Sequence, residues 1–266
     1  MSRIVPFDSN YATVRKFEKA AFYCLLFSAI AIIYLWLIPK VEPLLSFKIS
    51  SETVLDLVKV LSYVSMIGYI GLSSVAKYLF YSAEKVKRGD LIDNSFGTCY
   101  SDCNSEGYYN NEEMPHGVKR FALNTYESSF HTEQTLRRML FKYAMKMLLF
   151  SIPFLISIFS LGGSDIVRLL FEISIPLTML SQLFILIVYY AGVKGVNEYF
   201  KIELTNIGNK AIDVKDNARL LKPVFDYYNI KSWASTNLDS TIFDKYNTHI
   251  SEQWTKRKDK MKLTNE

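Results

Sequence analysis

Four stretches of this chain contain no Asp, Glu, Lys or Arg: Ala20–Ile38, Val60–Ala76, Met147–Ser164 and Ile173–Val193. A bilayer core about 30 Å thick is crossed by roughly 20 apolar residues of helix, with about 17 to 25 in use. All four stretches meet that length once their flanks are counted. The second is the shortest, and the stems of Lys59 and Lys77 at its ends can snorkel to lengthen it. Helices of a soluble bundle would instead carry charges on an outer face at 3.6-residue spacing, and the first and fourth stretches have none on any face. The first is a poor signal peptide, because 19 largely polar residues precede it. It also closes on Trp36-Leu37-Ile38-Pro39-Lys40 without a small-x-small cleavage site. The expected fold is therefore mainly α: an integral membrane protein with four transmembrane helices in two hairpins and a cytosolic, mostly helical module.

Basic residues set the expected orientation. Segments 1–19, 77–146 and 194–266 hold 4, 10 and 13 Lys plus Arg, whereas 39–59 and 165–172 hold 3 and 1. The positive-inside rule then puts both termini and the middle segment in the cytosol. The net charge of +5 belongs mostly to that face and suits anionic lipid headgroups better than nucleic acid. The three cysteines build no disulfide framework, since Cys24 falls in a span while Cys99 and Cys103 fall on the reducing side.

The expected layout is a cytosolic N-terminal segment (1–19), hairpin 1 (20–76), a cytosolic insert (77–146), hairpin 2 (147–193) and a tail (194–266) packing with the insert. Lys77–Val86 prolongs the second span as helix, with Gly89 a natural stop after Lys87-Arg88. A turn-rich run follows through Gly107-Tyr108-Tyr109-Asn110-Asn111. Pro115 can open the next helix, and Thr132 reads as the N-cap of another that enters the third span. Glu198–Leu204 continues the fourth helix, Asp216–Tyr228 reads as a helix interrupted by Pro223, and Lys256–Lys262 reads as a solvated or lipid-facing charge run.

No Gly-rich phosphate loop, His-Glu-x-x-His or Gly-x-Ser-x-Gly is present, so no enzyme activity is expected. Cys99 and Cys103 have a C-x3-C spacing near His116 and His131 but no compact second ligand pair, so neither a metal nor a cofactor is expected. In the fourth span Ser174, Thr178, Ser181 and Gln182 share one helix face. In the second, Ser65 and Gly68 belong to a run of small residues. Such residues serve either a close-packed helix seam or the wall of a hydrated pore. Pro153 and Pro176 can kink their spans without implying gating. No acidic or basic residue sits within a span, which argues against proton-coupled transport.

The insert contains a cluster suited to a polar, planar ligand: Tyr108, Tyr109 and Asn111, then Lys119, Arg120 and Asn124. Rings stack on bases, amides read base edges, and cations meet phosphate. The competing reading is a tyrosine-rich turn packed against the tail. Asp90, Asp93, Asp102, Glu106, Glu112 and Glu113 surround the cluster and would repel phosphate unless turned away.

The charged exit Ala83-Glu84-Lys85-Val86-Lys87-Arg88, leading into Leu91-Ile92-Asp93-Asn94-Ser95-Phe96-Gly97-Thr98, together with the two-hairpin layout, resembles the SMODS-associated four-transmembrane pore-forming effectors of bacterial antiphage systems. The resemblance implies a homo-oligomer, a tetramer for preference, in the bacterial inner membrane. Its pore would be opened, or released from inhibition, by a nucleotide or oligonucleotide messenger from a partner nucleotidyltransferase. The reading from another class is a non-conducting membrane anchor or scaffold that recruits a protein through Phe225, Tyr227, Tyr228 and Trp233.

Overall fold

The computed structural model describes residues 5–44, 51–102, 104–109, 111, 113–160, 166–208, 210 and 212–261, with side chains described throughout except at 39–40 and 149–176. Six α-helices account for most of them: α1 (Asp8–Val41), α2 (Glu52–Phe96), α3 (Val118–Ser160), α4 (Ile166–Ile207), α5 (Val214–Ala234) and α6 (Ser240–Lys260). No strand occurs among the described residues. Three helices are long and apolar enough to cross a membrane, over Asp8–Ile38, Glu52–Phe96 and Leu177–Ile207. The third expected span, Met147–Ser164, lies from residue 149 onward outside the described side chains. The 45 residues of α2 reach about 68 Å at 1.5 Å per residue, more than twice a bilayer core.

Several helix ends differ from the sequence expectation. Gly89 does not stop α2; the helix runs on to Phe96 and ends at Gly97, whose φ of 69° is the left-handed conformation glycine accepts cheaply. A Cβ at Gly97 would also sit 3.2 Å from the His116 ring. Buried Asp90 and Asp93 supply the reason for the extra turns. Asp93 accepts from the Thr98 hydroxyl and the Tyr100 and Ser101 amides at 2.7–2.8 Å, and Asp90 accepts from the Ser105 amide and hydroxyl at 2.6 and 2.8 Å. The last turns of α2 thus anchor the loop that follows. Thr132 caps nothing: it lies inside α3, where its hydroxyl bonds the Ser128 carbonyl and the Tyr227 phenol. Pro223 does not interrupt α5, which starts at a reciprocal capping box between Asp213 and Asp216 and buries the proline on its inner face.

The chain forms two compact units. The apolar unit comprises 13–78 and 142–184. Its core gathers Ala21, Leu25, Ala29, Ile32, Met66, Tyr69 and Met179, with Cys24, Leu72 and Met147 packed against it. Outward it shows Tyr23, Phe27, Ile30 and Leu37 of α1, Leu57, Val60, Val64 and Ile67 of α2, and Leu177, Leu180 and Phe184 of α4. Apolar stripes of that length are untenable in water and ordinary against lipid.

The polar unit is assembled from 1–12, 79–141 and 185–266. Its centre is aromatic. Tyr126 stacks on Phe200 with ring centroids 5.2 Å apart, and Trp254 meets Tyr126 edge-on at 5.0 Å. All three are fully buried, each contributing about 1.5–3 kcal/mol or more from burial. Gly192 lets α4 approach α5 closely, since a Cβ there would lie 2.7 Å from Ile230 Cγ1. The terminal charge run is partly built into this core: Arg257 lies 4.6 Å over the Phe130 ring and donates to the Tyr126 phenol at 3.1 Å.

Candidate functional site

The insert residues with nucleotide-binding chemistry are largely engaged with one another. Asn111 is buried and donates to the Asn124 carbonyl oxygen and the Glu127 carboxylate, both at 2.9 Å, and accepts from Lys258 at 3.4 Å. Asn124 donates to Asn94 at 3.0 Å and the Ser95 hydroxyl at 3.3 Å. Arg120 donates to the Met114 carbonyl and to Asn94 at 3.2 and 3.1 Å. Lys119 donates to the Gly208 carbonyl at 2.6 Å, and burial holds its pKa below the ordinary lysine value. These bonds tie the start of α3 to the end of α2 and to the tail. Glu112 lies outside the described residues, as does Cys103. Among the described residues no group of His, Cys, Asp and Glu is arranged to hold a metal ion.

Tyr108 and Tyr109 belong to a different neighbourhood. Their rings meet edge-on at 4.7 Å, and Tyr108 also meets Phe7 at 5.2 Å. The Lys87 ammonium lies 5.4 Å over Tyr108 and 5.5 Å over Phe7, and bonds the Tyr108 phenol. One turn back along α2, Glu84 pairs with Lys231 of α5 at 2.7 Å, with side-chain exposures of 6% and 8%. The Tyr11 phenol donates to the same carboxylate oxygen, Oε1. Glu84 Oε2, the Tyr109 phenol and the Tyr189 phenol are buried with no hydrogen-bond partner among the described residues. Tyr189 and Tyr228 both feel the Glu84 charge, Lys231 lies 5.7 Å over Tyr227, and Arg88 lies 5.9 Å over Tyr228. Glu84, two lysines and six tyrosines thus lie together inside the polar unit, with the buried Asp90 and Glu127 carboxylates close to Tyr109.

Sequence reasoning placed Glu84 and Lys87 in a charged helical exit and did not single out Lys231. The signal that places them inward is their register. Phe80, Ala83, Glu84, Lys87 and Leu91 repeat at i, i+3, i+4, i+7 and i+11, and on α5 Leu220, Val224, Tyr227, Lys231 and Ala234 repeat at i, i+4, i+7, i+11 and i+14. Each charge thus falls on an otherwise apolar face.

In the apolar unit the expected polar stripe divides. Gln182 turns inward and donates to the Tyr69 phenol at 2.9 Å, while Ser181 is exposed one residue away. Thr178 and Ser65 are half-buried, and the Ser174 side chain lies outside the described residues. Gly68 faces α1, where a Cβ would stand 3.6 Å from Cys24 Sγ, and the hydroxyls of Ser28 and Ser62 bond across the same two helices at 3.1 Å. Gln182, Gly68 and Ser62 therefore make helix–helix contacts, and Ser181 faces outward. A scan of family models and searches of curated proteins and solved structures returned no match to this chain.

Proposed function

We propose that the protein is an oligomeric channel or pore of a bacterial inner membrane, a tetramer for preference, with four spans and both termini cytosolic. Its pore is gated by a nucleotide or oligonucleotide signal sensed in the polar unit, as in antiviral defence. One observation carries the reading: α2 and α4 are each a single uninterrupted helix containing both an apolar stretch of membrane length and a polar-unit stretch. A signal that repacks Glu84 or Phe200 acts on a helix that also contains Ser65 or Ser181. A ligand shifts the closed–open balance only by binding the two states differently, and helices of this kind supply the lever. The exposed apolar stripes are also consistent with subunits that pack in lipid, because four spans alone enclose little water.

The test is ion flux from liposomes carrying the purified protein, with and without candidate oligonucleotides. Ligand-dependent flux is expected; background flux under every condition rules the pore out. A membrane anchor that recruits a protein is favoured by a separate observation, the exposure of Phe225 (63%) and Trp233 (52%) on α5. Aromatic side chains left in solvent two turns apart are the usual anchors of a protein interface.

A further inference from the structure

The charges of the apolar unit are gathered unequally at its two ends. α1 and α2 run antiparallel, as the Ser28–Ser62 hydroxyl pair and the fit of Gly68 against Cys24 show. Going back along α1 from Cys24 reaches Lys19, Lys16 and Arg15 within three turns, and going forward along α2 from Gly68 reaches Lys77 over the same distance. α3 joins them at that end, because the Lys146 ammonium lies 4.9 Å over the Phe22 ring, with Lys142 one turn before it. Six cations thus stand there against one carboxylate, Glu18. At the opposite end the described side chains reverse the balance: Glu42, Glu52 and Asp56 accompany a single cation, Lys59, which pairs with Asp56 at 2.9 Å.

The place of these cations on their helices matters as much as their number. Lys16, Lys19, Tyr23, Phe27 and Ile30 share one exposed face of α1, which passes from ammonium to phenol to hydrocarbon in about four turns. On α2 Lys77 adjoins Tyr78, and the exposed face below Tyr78 continues through Ile67, Val64 and Val60. Tyr23 and Tyr78 are 65% and 69% exposed. A phenol held outward beside a lipid-facing stripe belongs at the headgroup level, where its ring meets acyl chain and its hydroxyl meets water. Lys16, Lys19 and Lys77 are exposed and form no ion pair with a described residue. Their charge is left for a partner outside the protein, and at this level that partner is a phospholipid headgroup.

We propose that Lys16, Lys19 and Lys77, with Tyr23 and Tyr78, form a binding surface for anionic phospholipid, which the apolar unit selects over zwitterionic phospholipid. The ammonium groups pair with headgroup phosphate, and a zwitterionic lipid is disfavoured because its own cation meets the same three lysines. The tyrosines fix the depth at which the pairing occurs. The inference goes beyond the gated-pore reading and does not depend on it, since a non-conducting anchor presents the same surface.

The experiment titrates the full chain in a neutral detergent with phosphatidylglycerol, phosphatidylcholine or soluble glycerol phosphate and follows thermal unfolding, which rises with occupancy of the folded state. Half-maximal stabilisation by phosphatidylglycerol is expected at a concentration at least about tenfold below that of phosphatidylcholine, since each lysine near an anionic surface contributes about a fivefold preference. Glycerol phosphate should give no stabilisation. Lys16→Gln/Lys19→Gln/Lys77→Gln is expected to bring the two lipids within about threefold of each other. Lys201→Gln/Lys215→Gln/Lys245→Gln, which removes the same charge from exposed lysines of the polar unit, should keep the full preference. Equal stabilisation by both lipids in the unsubstituted protein overturns the proposal whether or not a variant folds. So does glycerol phosphate acting as well as phosphatidylglycerol, or an equal loss of preference in the two triple variants.

Discussion

Replacing Lys231 with Met tests whether the buried ion pair organises the polar unit. The 2.7 Å contact joins side chains only 8% and 6% exposed, so solvent screens it little. Methionine keeps the length and apolar stem of lysine, so the main loss is the ammonium. Breaking a buried pair from one side costs about 3–5 kcal/mol, because the remaining charge stays buried. Glu84 keeps the Tyr11 phenol and the nearby Lys87 charge, which favours the low end, about 3 kcal/mol. At roughly 2–4 °C per kcal/mol for a unit of this size, the melting point should fall by about 6–12 °C. Glu84→Gln should cost a similar amount. The double variant removes both charges and should melt near or above either single variant, a coupling of about 2 kcal/mol or more. The assay is thermal unfolding of the detergent-solubilised full chain, followed by circular dichroism and tryptophan fluorescence. Single-variant losses below 2 °C, or losses that simply add in the double variant, would refute the reasoning.

Two further outcomes can be checked on the same preparation. Gln182→Leu should lower stability by about 0.6 kcal/mol, and at most about 1.7, with no further loss when Tyr69→Phe is added, since both remove one interhelical bond; a change in conductance without a change in stability would instead make Gln182 a pore residue. Alkaline pH should weaken the polar unit. Burial, reinforced by neighbouring phenols and carboxylates, pushes Tyr109 and Tyr228 well above the ordinary tyrosine value, with Arg88 pulling Tyr228 back a little. Burial also raises Tyr126 against the opposing pull of Arg257. A raised folded-state pKa contributes stability that is complete below about pH 10 and is lost as pH rises through the folded value. Absorbance at 295 nm should therefore count fewer than the 18 tyrosines before the unfolding transition; titration of all 18 in the folded protein would contradict the burial.

Hydropathy made the membrane helices legible. The charge-free stretches at Ala20–Ile38, Val60–Ala76 and Ile173–Val193 lie in α1, α2 and α4, because lipid exposure selects apolar residues on every face. Local punctuation misled where tertiary contacts outweighed it. Gly89 looked like a stop, but the loop bonds of Asp90 and Asp93 repay two more turns of helix. Pro223 looked like a break, but it and its neighbours Val224 and Tyr227 are buried in the core, and α5 continues through it. The cluster at Glu84 was hidden for a different reason. A charged residue on an apolar face is visible in the sequence, but its partner Lys231 stands 147 positions away and only the fold brings the two together. Likewise, Asn111 and Asn124 have the chemistry of a ligand site, and spacing alone cannot tell that they bond each other.

The polar unit draws on three separated pieces of chain, and its contacts have a consequence for synthesis. Phe7 waits for Tyr108, Glu84 for Lys231, and Tyr126 for Trp254. A ribosome delivering the chain from its N-terminus makes every one of these residues before its partner exists. The unit therefore closes only when α6 has been made, after α3 and α4. A chain cut before Trp254 presents an open aromatic core, and one cut before Lys231 also leaves the Glu84 carboxylate without its cation.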